Sequence, residues 1–185
     1  MGALGHNALS TVFLDRDGTL NVKAAPDGYV TSPDDLILLP GAGPAVARLN
    51  AAGLRTILIS NQRWLSRPSA DLATYGAVQR RLEQLLAAHG AWLDASYYCP
   101  HAIGACDCRK PGAGLLRQAA GEHGFNHRDS VVVGDSETDM MAGQSVGAAT
   151  ILLRPTSASE LCPLADAVAT DLMAAVRLIV RERTS

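Results

Sequence analysis

Two aspartates separated by one residue, Asp15 and Asp17, follow directly on the apolar run Thr11-Val12-Phe13-Leu14. In open α/β sheets, ligands bind just outside the carboxyl ends of the strands, so a strand that stops at two carboxylates puts charge where chemistry is expected. Side chains alternate along a strand, so both carboxylates would share one side, and Gly18 frees the backbone to turn away beyond them. Such a pair can serve one metal and one substrate. Its rival is a hairpin closed by an Asp-Gly turn.

Further polar groups stand where other apolar runs end. Arg55-Thr56-Ile57-Leu58-Ile59 runs into Ser60-Asn61-Gln62, and Ser130-Val131-Val132-Val133 runs into Gly134-Asp135, with Asp139 a helical turn later. Arg109-Lys110 follows shortly after a third run, Ala95-Ser96-Tyr97-Tyr98. In a parallel sheet all of these open onto one edge. Carboxylates converging there repel one another unless a hard, oxygen-preferring cation such as Mg2+ lies between them. A cation in turn calls for an anionic substrate. Lys110, the Ser60 hydroxyl and backbone N–H groups near Asp17 and Gly18 together describe a phosphate cradle.

Cys99, His101, Cys106 and Cys108 form a second constellation. Three thiolates and an imidazole complete a closed tetrahedral set, the composition of a structural Zn2+ site with no open position for water. A zinc ribbon that binds nucleic acid is disfavoured, because the loop lacks aromatics and carries only Arg109 and Lys110 as adjacent positive charge. A staple that aims Arg109 and Lys110 into the phosphate site fits better. Cys162 is left over and is expected to pack.

Between these groups, apolar spacing predicts helices over Gly43 to Ala52, Leu115 to His123 and Asp171 to Arg181. Another runs from a Ser69 cap to about His89, with Leu72, Tyr75, Val78, Leu82, Leu85 and Leu86 buried and Arg80, Arg81 and Glu83 solvated. Ala149-Thr150-Ile151-Leu152-Leu153 is a fifth strand. Residues 22–40 carry Pro26, Gly28 and Pro33 and are read as a loop or small hairpin beside the aspartates. Strands alternating with helices imply one doubly wound α/β domain over residues 1–185, its parallel sheet covered on both faces, without room for a separate cap domain.

The totals agree. At 185 residues and 48% hydrophobic content a substantial core is available. A net charge of −2 gives no basic field for nucleic acid. No run approaches a membrane span and the first ten residues lack a signal-peptide pattern, so a cytoplasmic protein is expected. A monomer acting on a small molecule is expected.

The motifs Asp15-Arg16-Asp17-Gly18-Thr19, Ser60-Asn61, Lys110 and Gly134-Asp135-Ser136-Glu137-Thr138-Asp139 appear in the order found in the haloacid dehalogenase superfamily of phosphatases. The chain resembles that superfamily from about residue 11 to residue 153. The resemblance implies that Asp15 attacks phosphorus to give an aspartyl phosphate. Asp17 protonates the leaving oxygen and then activates water. Mg2+ would be held by Asp15, the Asp17 main-chain carbonyl and Asp135, with Asp139 supporting rather than ligating. Ser60 and Lys110 would complete the catalytic set, and Asn61, Arg63, Arg109 and Lys110 would bind substrate.

The Cys-Pro-His and Cys-x-Cys-Arg-Lys-Pro arrangement resembles the branch that holds heptose-bisphosphate and histidinol-phosphate phosphatases. Asn21, Gly28-Tyr29-Val30, Leu39-Pro40-Gly41 and Ser60-Asn61-Gln62 look more like the heptose enzymes. That resemblance implies removal of the 7-phosphate of a sugar phosphate, D-glycero-D-manno-heptose 1,7-bisphosphate. Histidinol phosphate is the alternative substrate, and a binding or regulatory protein on the same scaffold is another reading. Two departures stand out: Arg63-Trp64-Leu65 where the branch carries small residues, and Gly112-Ala113-Gly114 after Lys110-Pro111. Arg63 either meets a second phosphate or faces solvent. Trp64 is expected to wall the site and Trp92 to pack, while His6, His89, His123 and His127 are expected to be solvated.

Overall fold

The computed structural model describes residues 9–25, 28–154 and 162–184, with side chains through residue 181. His6 and Pro26 lie outside the described residues. Six strands form one all-parallel sheet: β1 (Thr11–Leu14), β2 (Arg55–Asn61), β3 (Ala95–Cys99), β4 (Ser130–Gly134), β5 (Ala149–Leu153) and β6 (Ala167–Ala169). Their spatial order is β3-β2-β1-β4-β5-β6. The chain steps outward from β1 to β3 and then crosses back to β4, so the strand order reverses beside β1. Crevices at such a reversal are where this architecture binds ligands.

Every residue of β1, β4 and β5 is buried. Unbroken apolar runs follow from a sheet covered on both faces. Alternation along the strands divides the core in two. Val12, Leu14, Leu58, Val131 and Val133 pack against helices α1 (Ala42–Ala51), α2 (Leu72–Ala87) and α5 (Leu172–Thr184). Phe13, Ile57, Ile59 and Val132 pack against α3 (Gly114–His123) and α4 (Glu137–Gln144). Register places Phe13 between Ile57 and Val132, so one layer of side chains crosses the sheet centre. Among the described residues no helix is long and apolar enough to cross a membrane.

The helix ends show where residue chemistry rather than periodicity decided. Asp71, not Ser69, caps α2, because its carboxylate accepts from the backbone N–H groups of Ala73 (3.0 Å) and Thr74 (3.2 Å). Leu72 then sits at the exposed start of the helix instead of in the buried stripe. Gly124 closes α3 in the left-handed region at φ 66°, as its position in the sequence implied. α4 and β6 escaped the sequence pattern because they are short. α4 carried a signal nonetheless, a reciprocal capping box between Ser136 and Asp139.

Val22 N–H donates to Ile37 O and Leu39 N–H to Leu20 O, each at 2.9 Å, tying together the two sides of the small hairpin-like excursion expected beside the aspartates. Trp92 is exposed rather than packed; it serves through its carbonyl, which accepts from Thr56 Oγ1 at 2.9 Å. His123 and His127 are half-buried, and His127 Nε2 lies 3.2 Å from the Leu116 carbonyl. His89 is exposed and Cys162 packs against the α3–α4 side of the core, both as expected.

Candidate active site

A cleft of about 240 Å³ opens at the carboxyl edge of the sheet, lined by Asp15, Asp17, Lys23, Ser60, Asn61, Lys110, Asp135 and Asp139 among others. Three strands contribute at their ends. β1 delivers Asp15 and Asp17, β2 delivers Ser60 and Asn61, and β4 delivers Asp135. Lys110 arrives from the loop after β3, and Asp139 from the first turn of α4.

Lys110 is the hub. Its ammonium lies 2.6 Å from Asp15 Oδ1, 2.6 Å from Asp139 Oδ1 and 3.0 Å from the Ile59 carbonyl. The contacts to Asp15 and the Ile59 carbonyl are hydrogen bonds and the one to Asp139 is an ion pair, so the ammonium is held from three sides. Asn61 sets the lysine backbone: its Oδ1 accepts from Lys110 N (3.1 Å) and its Nδ2 donates to Lys110 O (3.0 Å). The sequence reading gave Asn61 to the substrate. It borders the cleft, but both ends of its amide are committed to Lys110.

Burial dominates the electrostatics here. It pushes Asp15 up to about 7, with Asp139 and Asp17 adding to the shift and Lys110 opposing it. Asp135 is raised for the same reason, against the pull of Lys23 at 2.5 Å. Burial works against the charge on Lys110, yet Asp139 and Asp15 outweigh it and hold the lysine firmly protonated.

Asp15, Asp135 and Asp139 each bring a carboxylate oxygen within 4.8 Å of the others. Two ammonium groups, Lys23 and Lys110, face these three carboxylates, which leaves a negative charge uncompensated. The donor set is therefore one that a hard divalent cation fits. Gly18 makes the approach possible: at φ 95° it lies so close that an added Cβ would collide with Asp135. Asp139 is more central than expected, almost fully buried and reaching both the cluster and Lys110. The Asp17 carboxylate stands apart from the cluster and binds Arg16, Asn21 and Gln62. Sequence reasoning missed Lys23 and Arg16; only their proximity to Asp15 and Asp17 marked them.

The cysteine loop closes as anticipated. Cys99 Sγ lies 3.6 Å from His101 Nδ1 and 3.5 Å from Cys106 Sγ, and Cys108 Sγ lies 3.2 Å from both His101 Nδ1 and Cys106 Sγ. A tetrahedral Zn2+ with sulfur at about 2.3 Å requires S···S edges near ~3.7 Å, so this packing suits the ion. Gly112 and Gly114 explain the second departure in sequence. An added Cβ would strike the Asp107 carbonyl at one and Cys108 at the other, so glycine lets the chain fold back onto the loop.

Arg63 and Arg109 do not border the cleft. A neighbouring cavity of about 380 Å³, sharing Gly28 and Tyr29 with the first, is lined instead by Arg67, Thr31, Trp64 and Ser69. Trp64 is buried and walls this second cavity rather than the carboxylate cleft.

The HAD-hydrolase-like family model matches residues 107–175. A D-glycero-beta-D-manno-heptose-1,7-bisphosphate 7-phosphatase from Bordetella bronchiseptica is 35% identical over 94% of this chain and 99% of its own length. The chain belongs to the HAD-like phosphatases. A D-glycero-D-manno-heptose-1,7-bisphosphate 7-phosphatase from Thermosynechococcus vestitus is 37% identical over 91% of this chain and 94% of its own. Among solved structures, the B. bronchiseptica D,D-heptose 1,7-bisphosphate phosphatase complexed with magnesium and phosphate superposes with a TM-score of 0.84. That match is 34% identical and covers 94% of this chain and 99% of the other.

Proposed function

We propose that this phosphatase removes the 7-phosphate of D-glycero-D-manno-heptose 1,7-bisphosphate through an aspartyl phosphate on Asp15. The observation that carries the chemistry is the Asp15 carboxylate at the cleft floor, 2.6 Å from Lys110 Nζ and beside Asp17 and Ser60. The substrate rests on the relatives, which bear that activity in their names over nearly the whole chain.

Asp15 attacks phosphorus and forms the new O–P bond as the bond to the sugar oxygen breaks. Asp17 donates its proton to the departing sugar oxygen, then takes one from the water that cleaves the acyl phosphate. Lys110 holds Asp15 in place, and Lys110 and Ser60 offer donors to the phosphoryl oxygens. Asp15, the Asp17 main-chain carbonyl and Asp135, next to Asp139, would hold Mg2+, which would supply positive charge against the repulsion between carboxylate and phosphate. Cys99, His101, Cys106 and Cys108 would hold Zn2+, which would brace the loop that carries Arg109 and Lys110.

Phosphate release from the heptose bisphosphate, with histidinol phosphate alongside and Mg2+ present, tests this reading. Release is expected from the heptose substrate and absent in Asp15→Asn. Substantial turnover by Asp15→Asn overturns the mechanism, and faster release from histidinol phosphate reassigns the substrate. Inactivity of the unaltered protein toward every phosphomonoester restores the binding-protein reading.

A further inference from the structure

Behind the cleft wall, Gln62 is fully buried. All four of its hydrogen-bonding positions are used. Oε1 accepts from Arg16 Nη2 at 3.2 Å and from the Trp64 indole Nε1 at 2.9 Å. Nε2 donates to Asp17 Oδ2 at 3.0 Å and to Ser60 Oγ at 2.6 Å. Guanidinium and indole nitrogens are donors only, so the atom facing them must be the oxygen, and the amide has one possible orientation. Ser60 therefore accepts from Gln62. A hydroxyl that accepts there has its own proton to give elsewhere, and Ser60 borders the cleft beside Asp15.

Trp64 is what closes the choice. Its ring is buried, and it sits in the tight turn Arg63–Ser66, whose Leu65 N–H donates back to the Gln62 carbonyl at 3.0 Å. The bulky sequence after Asn61-Gln62 thus places an indole N–H against Oε1.

We propose that Gln62 is a positioning residue, locked by the Trp64 indole, which directs the Ser60 proton at the substrate phosphate and holds the Asp17 carboxylate in its working orientation. This rests on the reading of the chain as a phosphomonoesterase with Asp15 as nucleophile.

A double-mutant cycle on kcat/KM for the heptose bisphosphate separates this role from simple packing. Ser60→Ala alone is expected to cost about 100-fold, as for loss of one donor to developing phosphoryl charge. In Gln62→Glu the carboxyl shares a proton with Asp17, 3.0 Å from the amide nitrogen it replaces, and has no N–H left for Ser60, so it accepts the Ser60 proton instead of donating to that hydroxyl. Gln62→Glu alone is expected to cost a similar factor, and Ser60→Ala in that background less than about fivefold, within one neutral hydrogen bond. Merely structural loss would lower the melting temperature and leave the Ser60→Ala factor whole. An undiminished factor, or an unimpaired Gln62→Glu enzyme, overturns the proposal.

Trp64→Phe keeps the ring and removes the lock, and it decides the matter if Gln62→Glu does not fold. A drop of about fivefold with a smaller Ser60→Ala factor supports the lock; unchanged kcat/KM with the full factor overturns it. Asp15→Asn runs in parallel. An Asp15-dependent enzyme with an additive cycle sinks this inference alone, whereas an inactive unaltered protein sinks the phosphatase reading and this inference together.

Discussion

Replacing Lys110 by methionine keeps most of the side-chain volume and deletes the charge on which Asp15 and Asp139 both lean. Those carboxylates are 8% and 1% exposed, and each lies 2.6 Å from the ammonium. Removing one member of a buried charge pair costs on the order of 3–5 kcal/mol, because the partner is left without compensation. At about 2–4 °C per kcal/mol for a chain of this size, Lys110→Met should melt roughly 6–20 °C lower in Mg2+-free buffer at pH 8. The deficit must depend on pH. Asp15 has a folded-state pKa of about 7 against 3.8 in its unperturbed form. An acid whose pKa is raised on folding binds more protons folded than unfolded, so stability falls as pH rises between those two values. Without Lys110 the folded value climbs further, which widens the window and deepens the loss. Near pH 5 the folded variant protonates Asp15 and evades most of the penalty. Circular-dichroism melts of both proteins from pH 5 to pH 8 measure the gap. A gap that stays constant across that range, or that falls below about 1 kcal/mol at pH 8, would refute the assignment of Lys110 as the compensating charge.

The same titration bears on the cation. Mg2+ and a proton compete for Asp15, so the Mg2+ dissociation constant should rise by up to about tenfold per pH unit below pH 7 and flatten above it, read by isothermal titration calorimetry; a flat profile would exclude Asp15 as a ligand. Cys108→Ser should release the ion counted by plasma mass spectrometry and lower kcat more than Cys162→Ser, which leaves the loop alone; equal effects would contradict a staple. Arg67 lines the cavity adjoining the cleft, so Arg67→Ala should raise KM about tenfold for a substrate with phosphate at both ends and leave a monophosphate unaffected.

The catalytic edge was legible because the strands that feed it are buried on both faces and end abruptly. Val131-Val132-Val133 permits almost no other reading, and the polar residues at its end, like Asp15 and Ser60, are conspicuous against so apolar a background. The convergence of Cys99, His101, Cys106 and Cys108 was legible because few roles other than metal ligation bring three thiols and an imidazole together within ten residues. What escaped is set by three-dimensional approach. Nothing in sequence says that Arg67 rather than Arg63 borders a cavity, since the two occupy one tight turn and its next residue. Lys23 is one loop charge among several in the sequence, and only the fold of the excursion after β1 brings it onto Asp135.

Asn61 shows how a residue read as binding substrate can have its amide engaged by the protein itself. It stands at a strand end, lines the cleft and carries an amide suited to sugar hydroxyls, all of which pointed to the substrate. Both ends of that amide instead clasp the backbone of Lys110, 49 residues away in the chain. The lysine backbone is thus gripped by β2 on one side, and Lys110 follows two residues after Cys108 on the other. An ammonium that must meet Asp15, Asp139 and Ile59 O at once tolerates little displacement, and a loop alone would be a poor support for it. The amide clasp and the cysteine loop solve one problem between them: they give a residue outside regular secondary structure the fixity of a strand.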